Sequence, residues 1–337
     1  MNAPRRACAL ALAVFAAAVH AAEPDLASHP EAASFIDRMV SVHGFERHAV
    51  VNELAAASYQ KKAIRFIKPP AKKGIRSWKS YRARFVEPVR IRAGLAFWND
   101  HREALERAEQ RFGVPPEIIL AILGVETVFG RQTGSFPLVG ALATLAFDYP
   151  PRASLFRKEL ENLFLLARES GRRPSSYTGS FAGAIGYPQF LPSSVRTYAV
   201  DFDDNGRVDL EGSAEDAIGS IARYLADHGW LAGERIADPV VPPPGTPLDP
   251  LVAAGIEPAL TGAELASVGL RLPAGIERAT LVDLETPGLA TQYWLGYRNF
   301  YVLTRYNRSS FYAMAVTHLA DALREARLGE KVAVSGR

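Results

Sequence analysis

The sequence predicts a mainly α-helical (α+β) protein that carries a small inserted domain with β-strands. Two observations predict this class. Apolar residues recur at helical spacing through most of the chain up to residue 230, and a stretch rich in Pro, Gly, Val and Leu interrupts that spacing at residues 231–292. A last helix is expected from Ser309 to Arg327. At 337 residues, with 48% hydrophobic and 22% charged residues, the chain can bury a large core and form two or three subdomains.

These patterns divide the chain into five segments. They are a signal peptide at 1–22, an N-terminal helical domain at 23–112, a helical core at 113–230, a small β-containing domain at 231–292, and a return to the core with a C-terminal helix at 293–337. In the N-terminal domain, helices are predicted over Pro30–Val42, Glu46–Ser58 and about Ile91–Phe112, with a turn-forming linker at Pro69–Gly74. The core contains further predicted helices at 138–147, 154–170 and 217–228.

The first 22 residues are typical of a secretory signal peptide. Met1–Arg6 is basic, Ala7–Val19 is apolar, and small residues up to Ala21 offer a cleavage site. The alternative, a packed N-terminal helix, is disfavoured because polar residues begin at Glu23. No other stretch has the length of a transmembrane helix, so we expect an exported protein that is soluble after removal of this segment.

Cys8 is the only cysteine and lies inside the predicted signal peptide. Arg5 and Arg6 precede it, whereas a lipoprotein signal would place apolar residues there. We therefore expect a mature chain without thiol, disulfide or lipid anchor, which excludes cysteine nucleophiles and thiolate zinc sites. The net charge of +3 is too small to indicate a nucleic-acid partner.

Glu126 stands out because it is an acid in an apolar helix, predicted within Gly113–Gly130. Pro115 and Pro116 suit the start of this helix, and a glycine at 130 suits its end. Glu126 shares the apolar stripe, one helical turn from its hydrophobic neighbours. A carboxylate in that position is either a structural ion-pair partner or a general acid with a raised pKa.

The segment Gly179–Ser194 is predicted to be an irregular loop that carries polar groups. Three glycines, at 179, 183 and 186, and two prolines, at 188 and 192, interrupt any regular structure there. Small residues allow a ligand to approach the main chain closely. A tight core loop against the Glu126 helix is the alternative, and both can be true.

The run from Asp201 to Leu210 matches the first half of a calcium-binding loop. Oxygen side chains stand at positions one, three and five, a turn glycine at six and a backbone carbonyl at seven. Position twelve is Gly212 instead of the usual Glu, so either Glu215 or Asp216 would have to complete the site. An acidic turn without a tightly bound ion is the alternative.

The sequence has no phosphate-binding loop, no H-E-x-x-H pair and no G-x-S-x-G turn. This leaves carboxylate chemistry, with Glu126 as the best-placed candidate. Several tyrosines could offer stacking surfaces for sugar rings, although each alone is more typical of a core position. These tyrosines are Tyr81, Tyr187, Tyr224, Tyr306 and Tyr312.

Taken in order, these motifs resemble the lytic murein transglycosylase B family, glycoside hydrolase family 103. The motifs are Gly124–Gly130, Gly179–Ser194, Asp201–Asp209, Asp216–Ser220 and Tyr306–Met314. The resemblance covers almost the whole mature chain. It implies a lysozyme-like helical core, flanked by a helical domain and the small β-containing domain, with a structural Ca²⁺ in the 201–216 loop and no organic cofactor.

The resemblance also implies cleavage of the β-1,4 bond between N-acetylmuramic acid and N-acetylglucosamine, which leaves a 1,6-anhydromuramoyl end. Glu126 would be the catalytic acid/base. The implied substrate-binding residues are Tyr81, Ser180, Gln189, Phe190, Tyr224, Tyr306, Asn307 and Tyr312. The implied calcium ligands are Asp201, Asp203, Asn205, Arg207 (through its carbonyl) and Asp216. Glycan strands of peptidoglycan are the expected partner, with other cell-wall enzymes as further candidates, for a monomeric periplasmic enzyme.

Three features differ from the pattern of the family or of some of its members. Pro188 stands where members often have Gly, which would stiffen the loop near Gln189. The calcium loop is one residue longer before Asp216 than in some members, which leaves the choice between Glu215 and Asp216 open. The lipid-attachment Cys of some members is absent here.

Three functional hypotheses follow for Glu126. Ordinary glycosidases use two carboxylates, and no obvious second acid accompanies Glu126, although Asp148 is a candidate. A single Glu suffices where the substrate supplies its own nucleophile, as in a lytic transglycosylase. The alternatives are a hydrolytic muramidase with a second carboxylate and water, and a non-catalytic protein that binds peptidoglycan.

Overall fold

A computed structural model describes residues 25–69, 74 and 76–335 of the chain, with side chains up to residue 329. The predicted signal peptide at 1–22 lies outside the described residues, as does most of the predicted linker after Pro69. The predicted mainly helical fold with a small β-containing part is confirmed.

Six helices lie in the described residues of the N-terminal part. They are α1 (Ala32–Ser41), α2 (Arg47–Ala55), α3 (Lys61–Ile67), α4 (Trp78–Arg82), α5 (Pro88–Asp100) and α6 (Arg102–Phe112). The single helix predicted over Ile91–Phe112 is wrong, because the backbone leaves the helical conformation at His101 (φ −120°, ψ 30°). Beyond their shared contact with α7, α5 packs on α15 and α6 packs on α11.

The core segment carries the helix with Glu126. Its elements are α7 (Pro116–Thr127), β1 (Phe136–Pro137), α8 (Leu138–Asp148), α9 (Ala153–Glu169), β2 (Thr178–Gly179), α10 (Pro192–Tyr198) and α11 (Ala214–Asp227). Every residue of α7 is buried except Glu117 and Glu126. Burying so many aliphatic side chains supplies much of the hydrophobic stabilisation of this region, and it fixes the helix that holds Glu126.

The remaining elements are the four strands of a small sheet, two short helices between them, and two last helices. They are β3 (Ala237–Val240), α12 (Asp249–Ala253), β4 (Leu260–Thr261), α13 (Gly262–Ser267), β5 (Arg278–Leu284), β6 (Gln292–Gly296), α14 (Arg298–Tyr306) and α15 (Ser310–Ser335). The sheet is antiparallel in the order β3-β6-β5-β4 and covers its own small apolar core around Leu265 and Leu281. The domain boundary predicted at residue 292 falls at the first residue of β6, whose pairing with β3 and β5 extends the sheet to Gly296.

Helix α7 lies at the centre of the helical part and contacts α5, α6, α11 and α15. Because α15 runs along α7, residues from the C-terminal end of the chain reach Glu126. The short pair β1–β2 joins the start of α8 to the segment Gly179–Ser194. Among the residues that the structure describes, none of the helices combines the length and the apolar character needed to cross a bilayer.

We predict that Gly219→Ala destabilises the protein by about 1–3 kcal/mol, the usual cost of overpacking. In most helices this change is stabilising, but a Cβ at Gly219 would lie 2.3 Å from the ring of Phe202, which belongs to the predicted calcium loop. The measurement is chemical unfolding of both proteins. The control is Gly262→Ala in α13, where the nearest atom is 3.8 Å away; equal stabilities for the two variants would contradict this account of the packing.

Candidate active site

Glu126 lies near the C-terminal end of α7 and is partly exposed. Its Oε1 atom accepts a hydrogen bond of 2.6 Å from the hydroxyl of Tyr312, at the start of α15. The carboxyl is therefore anchored on one side, while part of the residue remains accessible to solvent. This combination of anchoring and access is what a general acid requires.

Burial raises the pKa of Glu126 to about 7, and the hydrogen bond from Tyr312 opposes this shift because it stabilises the ionised form. Burial also raises the pKa of Tyr306 and Tyr312 well above the usual value, and the charge of Glu126 adds to both shifts. The same two causes raise the pKa of Tyr81. These four side chains form one electrostatic unit, in which Glu126 holds its proton close to neutral pH.

The causes of the pKa shift of Glu126 distinguish between a structural ion pair and a general acid. No basic side chain among the described residues contributes to its pKa. A structural ion pair would lower the pKa of the carboxyl, and here it rises. The structure therefore favours the general-acid interpretation over the ion-pair one.

The helix ends directly after Glu126, at Thr127. Val128 and Phe129 both have positive φ angles (53° and 58°), and Gly130 follows with φ 82°. The predicted left-handed stop at Gly130 is thus preceded by two residues that rarely adopt this conformation, one of them β-branched. Strain of this kind persists only where surrounding contacts hold it in place, and it is common at functional sites.

Thr127 connects this helix end to the segment Gly179–Ser194. Its buried hydroxyl donates to the carbonyl of Tyr187 at 2.9 Å and accepts the N–H of Gly130 at 2.9 Å. Gly130 must lack a side chain here because a Cβ would lie 2.1 Å from the ring of Tyr187. The predicted loop therefore packs against the Glu126 helix, as its tight-core-loop interpretation expected.

Gln189 and Ser180 are held by hydrogen bonds within or beside this loop. Gln189 has a positive φ of 51°, and its Nε2 donates to the carbonyls of Thr133 and Gly186, both at 3.0 Å. The Ser180 hydroxyl accepts the N–H of Ala184 at 3.0 Å. Both side chains are half-buried, and these hydrogen bonds orient their polar atoms before any ligand binds.

The rings of four predicted residues form an aromatic cluster that includes the Glu126 partner. Tyr306 stacks on Tyr312 with ring centroids 6.3 Å apart, and it lies 5.8 Å from Phe190 and 5.0 Å from Tyr224. The Tyr306 hydroxyl donates to the carbonyl of Pro188 at 2.6 Å. This bond joins the cluster to Pro188, which directly precedes Gln189 and differs from the residue that is frequent in the family.

The predicted substrate-binding residues differ in their exposure to solvent. Phe190 and Tyr224 are buried, and the Tyr224 hydroxyl donates to the carbonyl of Arg305 at 2.7 Å. These two rings therefore support Tyr306 from the core side. Asn307 is exposed and follows Tyr306 at the end of α14.

Tyr81 belongs to a second aromatic group, and it interacts with the charge of Glu126. It stacks on Trp78 with centroids 6.4 Å apart, and it lies 5.2 Å from Phe85 and 5.5 Å from Phe311, next to Tyr312 in the chain. The sequence interpretation missed Trp78 and Phe311. The sequence did contain a signal for both residues. Trp78 lies one helical turn before Tyr81, and Phe311 directly precedes Tyr312.

Asp148, the candidate second acid, is engaged elsewhere. Its Oδ1 lies 3.2 Å from Nε2 of His29, and it contacts Tyr59, where burial and then this carboxylate raise the pKa of the hydroxyl to about 12. Asp148 makes no contribution to the pKa of Glu126. A two-carboxylate arrangement of Glu126 with Asp148 is not supported.

The predicted calcium loop brings three carboxylates together. Oxygen atoms of Asp201, Asp203 and Asp216 lie within 4.8 Å of one another. The other predicted ligands are placed around them, with Asn205 and Arg207 joined by a hydrogen bond of 3.1 Å from the Arg207 N–H to Asn205 Oδ1. Three clustered carboxylates repel one another unless a cation lies between them, and oxygen-only ligands suit Ca²⁺.

The structure distinguishes the two candidates for the last carboxylate. Asp216 is fully buried and its oxygens accept backbone N–H groups of Phe202 and Asp209, both at 2.7 Å. Glu215 turns away and pairs with Arg107 at 3.3 Å. Asp216 therefore fits the site, while Glu215 serves a surface ion pair.

Comparisons with known proteins agree with this architecture. Residues 27–321 match the Transglycosylase SLT domain family. The chain is 42% identical over 317 residues to the membrane-bound lytic murein transglycosylase B of Escherichia coli K12, covering 90% of this chain and 85% of the relative.

Two solved structures are also similar. One is the soluble lytic transglycosylase SltB1 from Pseudomonas aeruginosa, with 43% identity, a TM-score of 0.83, and coverage of 88% of this chain and 99% of that one. The other is the Escherichia coli lytic transglycosylase Slt35 in complex with calcium, with 42% identity, a TM-score of 0.82, and coverage of 91% and 96%.

These matches confirm the family and the enzyme class that the sequence motifs indicated. They extend over nearly the whole described chain, including the Glu126 helix, the loop beside it and the C-terminal helices. The chain belongs to the Transglycosylase SLT domain family, as an enzyme of the lytic murein transglycosylase class.

Proposed function

We propose that this enzyme cleaves the β-1,4 bond between N-acetylmuramic acid and N-acetylglucosamine, with Glu126 as its single acid/base, and that it leaves a 1,6-anhydromuramoyl end. The observation that carries this proposal is the Glu126 carboxyl itself. It is partly exposed, anchored by Tyr312, and has a pKa of about 7. Such a group can both donate and accept a proton near neutral pH.

In the first step, protonated Glu126 donates its proton to the glycosidic oxygen as the bond to C1 of the muramoyl residue breaks. The carbonyl oxygen of the substrate's own 2-acetamido group stabilises the positive charge that develops at C1. The Tyr312 hydroxyl, 2.6 Å from Oε1, stabilises the carboxylate that Glu126 becomes. No second protein carboxylate is needed in this step.

In the second step, the Glu126 carboxylate accepts the proton of the C6 hydroxyl, whose oxygen attacks C1 and closes the anhydro ring. Glu126 is protonated again, so the enzyme is ready for another turnover, and no water is consumed. The attack is intramolecular, which removes much of the entropic barrier. One carboxyl with a pKa close to the working pH is suited to both roles.

Substrate binding is assigned to the side chains around Glu126. Tyr81 and Tyr306, both half-buried, offer partly exposed rings on which sugars can stack. The oriented polar groups of Ser180 and Gln189, with the exposed Asn307, are suited to hydrogen bonds with the acetamido and hydroxyl groups. Phe190 and Tyr224 contribute by packing against the ring of Tyr306.

We propose that the 201–216 loop binds a structural Ca²⁺. Asp201, Asp203 and Asp216 would supply carboxylate oxygens, and Asn205 and the carbonyl of Arg207 would complete the set. The ion would tie this loop to the start of α11, and it takes no part in the reaction. The related Slt35 structure in complex with calcium supports this assignment.

We also propose that the enzyme acts on peptidoglycan strands in the periplasm, as a soluble monomer released from the signal peptide at residues 1–22. The basic and apolar runs of that segment support export. The relative from Escherichia coli is described as membrane-bound, whereas Cys8 here does not fit a lipid-attachment signal. Other cell-wall enzymes remain proposed partners.

Replacing Glu126 with Gln should lower turnover by at least about 10²–10⁴-fold, because the amide can neither donate nor accept the proton. The assay is mass spectrometry of digested peptidoglycan, in which wild-type products carry anhydro ends and are lighter by one water than hydrolysis products. The control is Glu103→Gln on the exposed surface of α6. Retained activity in Glu126→Gln would refute the role of Glu126, and hydrolysed ends from the wild type would favour the muramidase alternative.

Replacing Tyr312 with Phe should move the high-pH limb of the kcat/KM profile upward by about 1 pH unit. The Tyr312 hydroxyl stabilises the ionised form of Glu126, so its loss raises the pKa of Glu126 further above its ordinary value, and the proton needed for the first step is kept to higher pH. The control is Tyr297→Phe, which removes a hydroxyl bonded to Asp238 in the small sheet domain. A limb that moves downward or stays in place in Tyr312→Phe would contradict the assignment.

Added Ca²⁺ should raise the stability of the wild type by about 2.7 kcal/mol at a concentration 100 times Kd. Asp203→Asn should lose most of this gain, because it removes a clustered carboxylate. Glu215→Gln should keep it, because Glu215 pairs with Arg107. Thermal unfolding with Ca²⁺ or a chelator measures all three proteins, and loss of the gain in Glu215→Gln would assign the last ligand to Glu215 instead.

A further inference from the structure

The end of the Glu126 helix leaves a main-chain carbonyl without its usual helical partner. In a regular helix, the N–H of Val128 would donate to the carbonyl of Gly124. Here the N–H groups of Val128 and Phe129 both point to the carbonyl of Leu123 instead, because both residues adopt the left-handed conformation. The carbonyl of Gly124, two residues before Glu126, therefore needs another donor.

Arg90, the third residue of α5, supplies that donor. Its Nε lies 2.7 Å from the carbonyl oxygen of Gly124. Its side chain is only 12% exposed, and burial lowers the pKa of the guanidinium from its ordinary value, with Glu87 opposing this shift. A positive group at a helix C-terminus also interacts favourably with the helix dipole.

The other end of the same guanidinium contacts the segment that carries Tyr81. Its NH1 donates to the carbonyl of Arg84, and the guanidinium lies over the ring of Phe85 at 5.5 Å. Phe85 in turn lies 5.2 Å from the ring of Tyr81. One side chain therefore joins the helix end that carries Glu126 to the segment that carries Tyr81.

We propose that Arg90 is a positioning residue for the reaction, which holds the helix end carrying Glu126 at a fixed distance from the segment carrying Tyr81. This inference rests on the proposed role of Glu126 and deepens it. Arg90 does not touch the reacting atoms. It acts through the two carbonyls that it bridges.

A purely local role, pairing with Glu87, explains the geometry less well. Arg90 NH1 lies 3.5 Å from Glu87 Oε1, and the Glu87 oxygens already accept the N–H groups of Val89 and Arg90 at 2.7 Å as the cap of α5. The shorter contacts of the guanidinium go to carbonyls of two other segments. A planar guanidinium can donate in two fixed directions at once, whereas the ammonium of Lys is a single point charge on a flexible stem.

The experiment compares Arg90→Gln and Arg90→Lys with the wild type on purified peptidoglycan. We expect Arg90→Gln to lower kcat/KM by about 10–100-fold, since misplacing a reacting group by about 1 Å has an effect of this order. Arg90→Lys should retain one of the two contacts and an intermediate activity. Arg92→Gln is the matched control, because it removes the same charge from the exposed face of the same helix.

A second readout separates positioning from a general loss of stability. When the helix end loosens, Glu126 becomes more hydrated among Tyr81, Tyr306 and Tyr312, so the high-pH limb of kcat/KM should move downward in Arg90→Gln. Leu265→Ala, in the separate core of the small sheet, should lower stability without moving that limb. Wild-type kinetics in Arg90→Gln, or a loss of activity with an unmoved limb, would overturn the proposal.

The outcome is distinguishable from a failure of the proposed function. If Glu126→Gln keeps its activity, the role of Glu126 fails whatever the Arg90 variants do. If Glu126→Gln is inactive and Arg90→Gln behaves as the wild type, only the positioning role fails. Should Arg90→Gln not fold, Arg90→Lys carries the test, with an expected loss of about 3–10-fold and a smaller shift of the limb in the same direction.

Discussion

The proposed active site depends on one physical constraint, the removal of the Glu126 carboxyl group from water. Glu126 is carried by a helix whose other residues, apart from Glu117, are buried, and that apolar surrounding raises its pKa to about 7. A hydroxyl, not a cation, is its hydrogen-bond partner. A basic partner in the place of Tyr312 would lower the pKa of the carboxyl and remove the proton that the first step needs.

The other residues of the site hold this carboxyl in place and leave it accessible to a ligand. The helix ends one residue later in a strained conformation, and contacts from Thr127, Gly130 and Arg90 hold that end. The loop before α10, the end of α14 and the start of α15 carry the rings and amides that we propose to bind the substrate. The 201–216 loop lies farther along the chain and is joined to the start of α11 by hydrogen bonds to Asp216, so the Ca²⁺ proposed for it is expected to affect stability.

The sequence was sufficient for the fold class, the family and the unusual position of Glu126, because apolar spacing and ordered motifs are local signals. It could not show the break at His101 between α5 and α6. That break depends on tertiary packing, because α5 packs on α15 and α6 packs on α11. The contact between Tyr312 and Glu126 joins residues 186 positions apart and depends on the packing of α15 along α7. The same holds for Arg90. Its proposed role rests on the Gly124 carbonyl, which lacks its regular helical hydrogen bond, and only the structure shows this.

The most direct test of the central claim is a titration of the Glu126 carboxyl by NMR in protein with ¹³C-labelled glutamate. The signal is assigned by its absence in Glu126→Gln. We predict a midpoint near pH 7, where burial places the pKa of this group. A midpoint near the ordinary glutamate value, about 4.3, would mean that the carboxyl is ionised at neutral pH, and it would contradict the role of Glu126 as the proton donor.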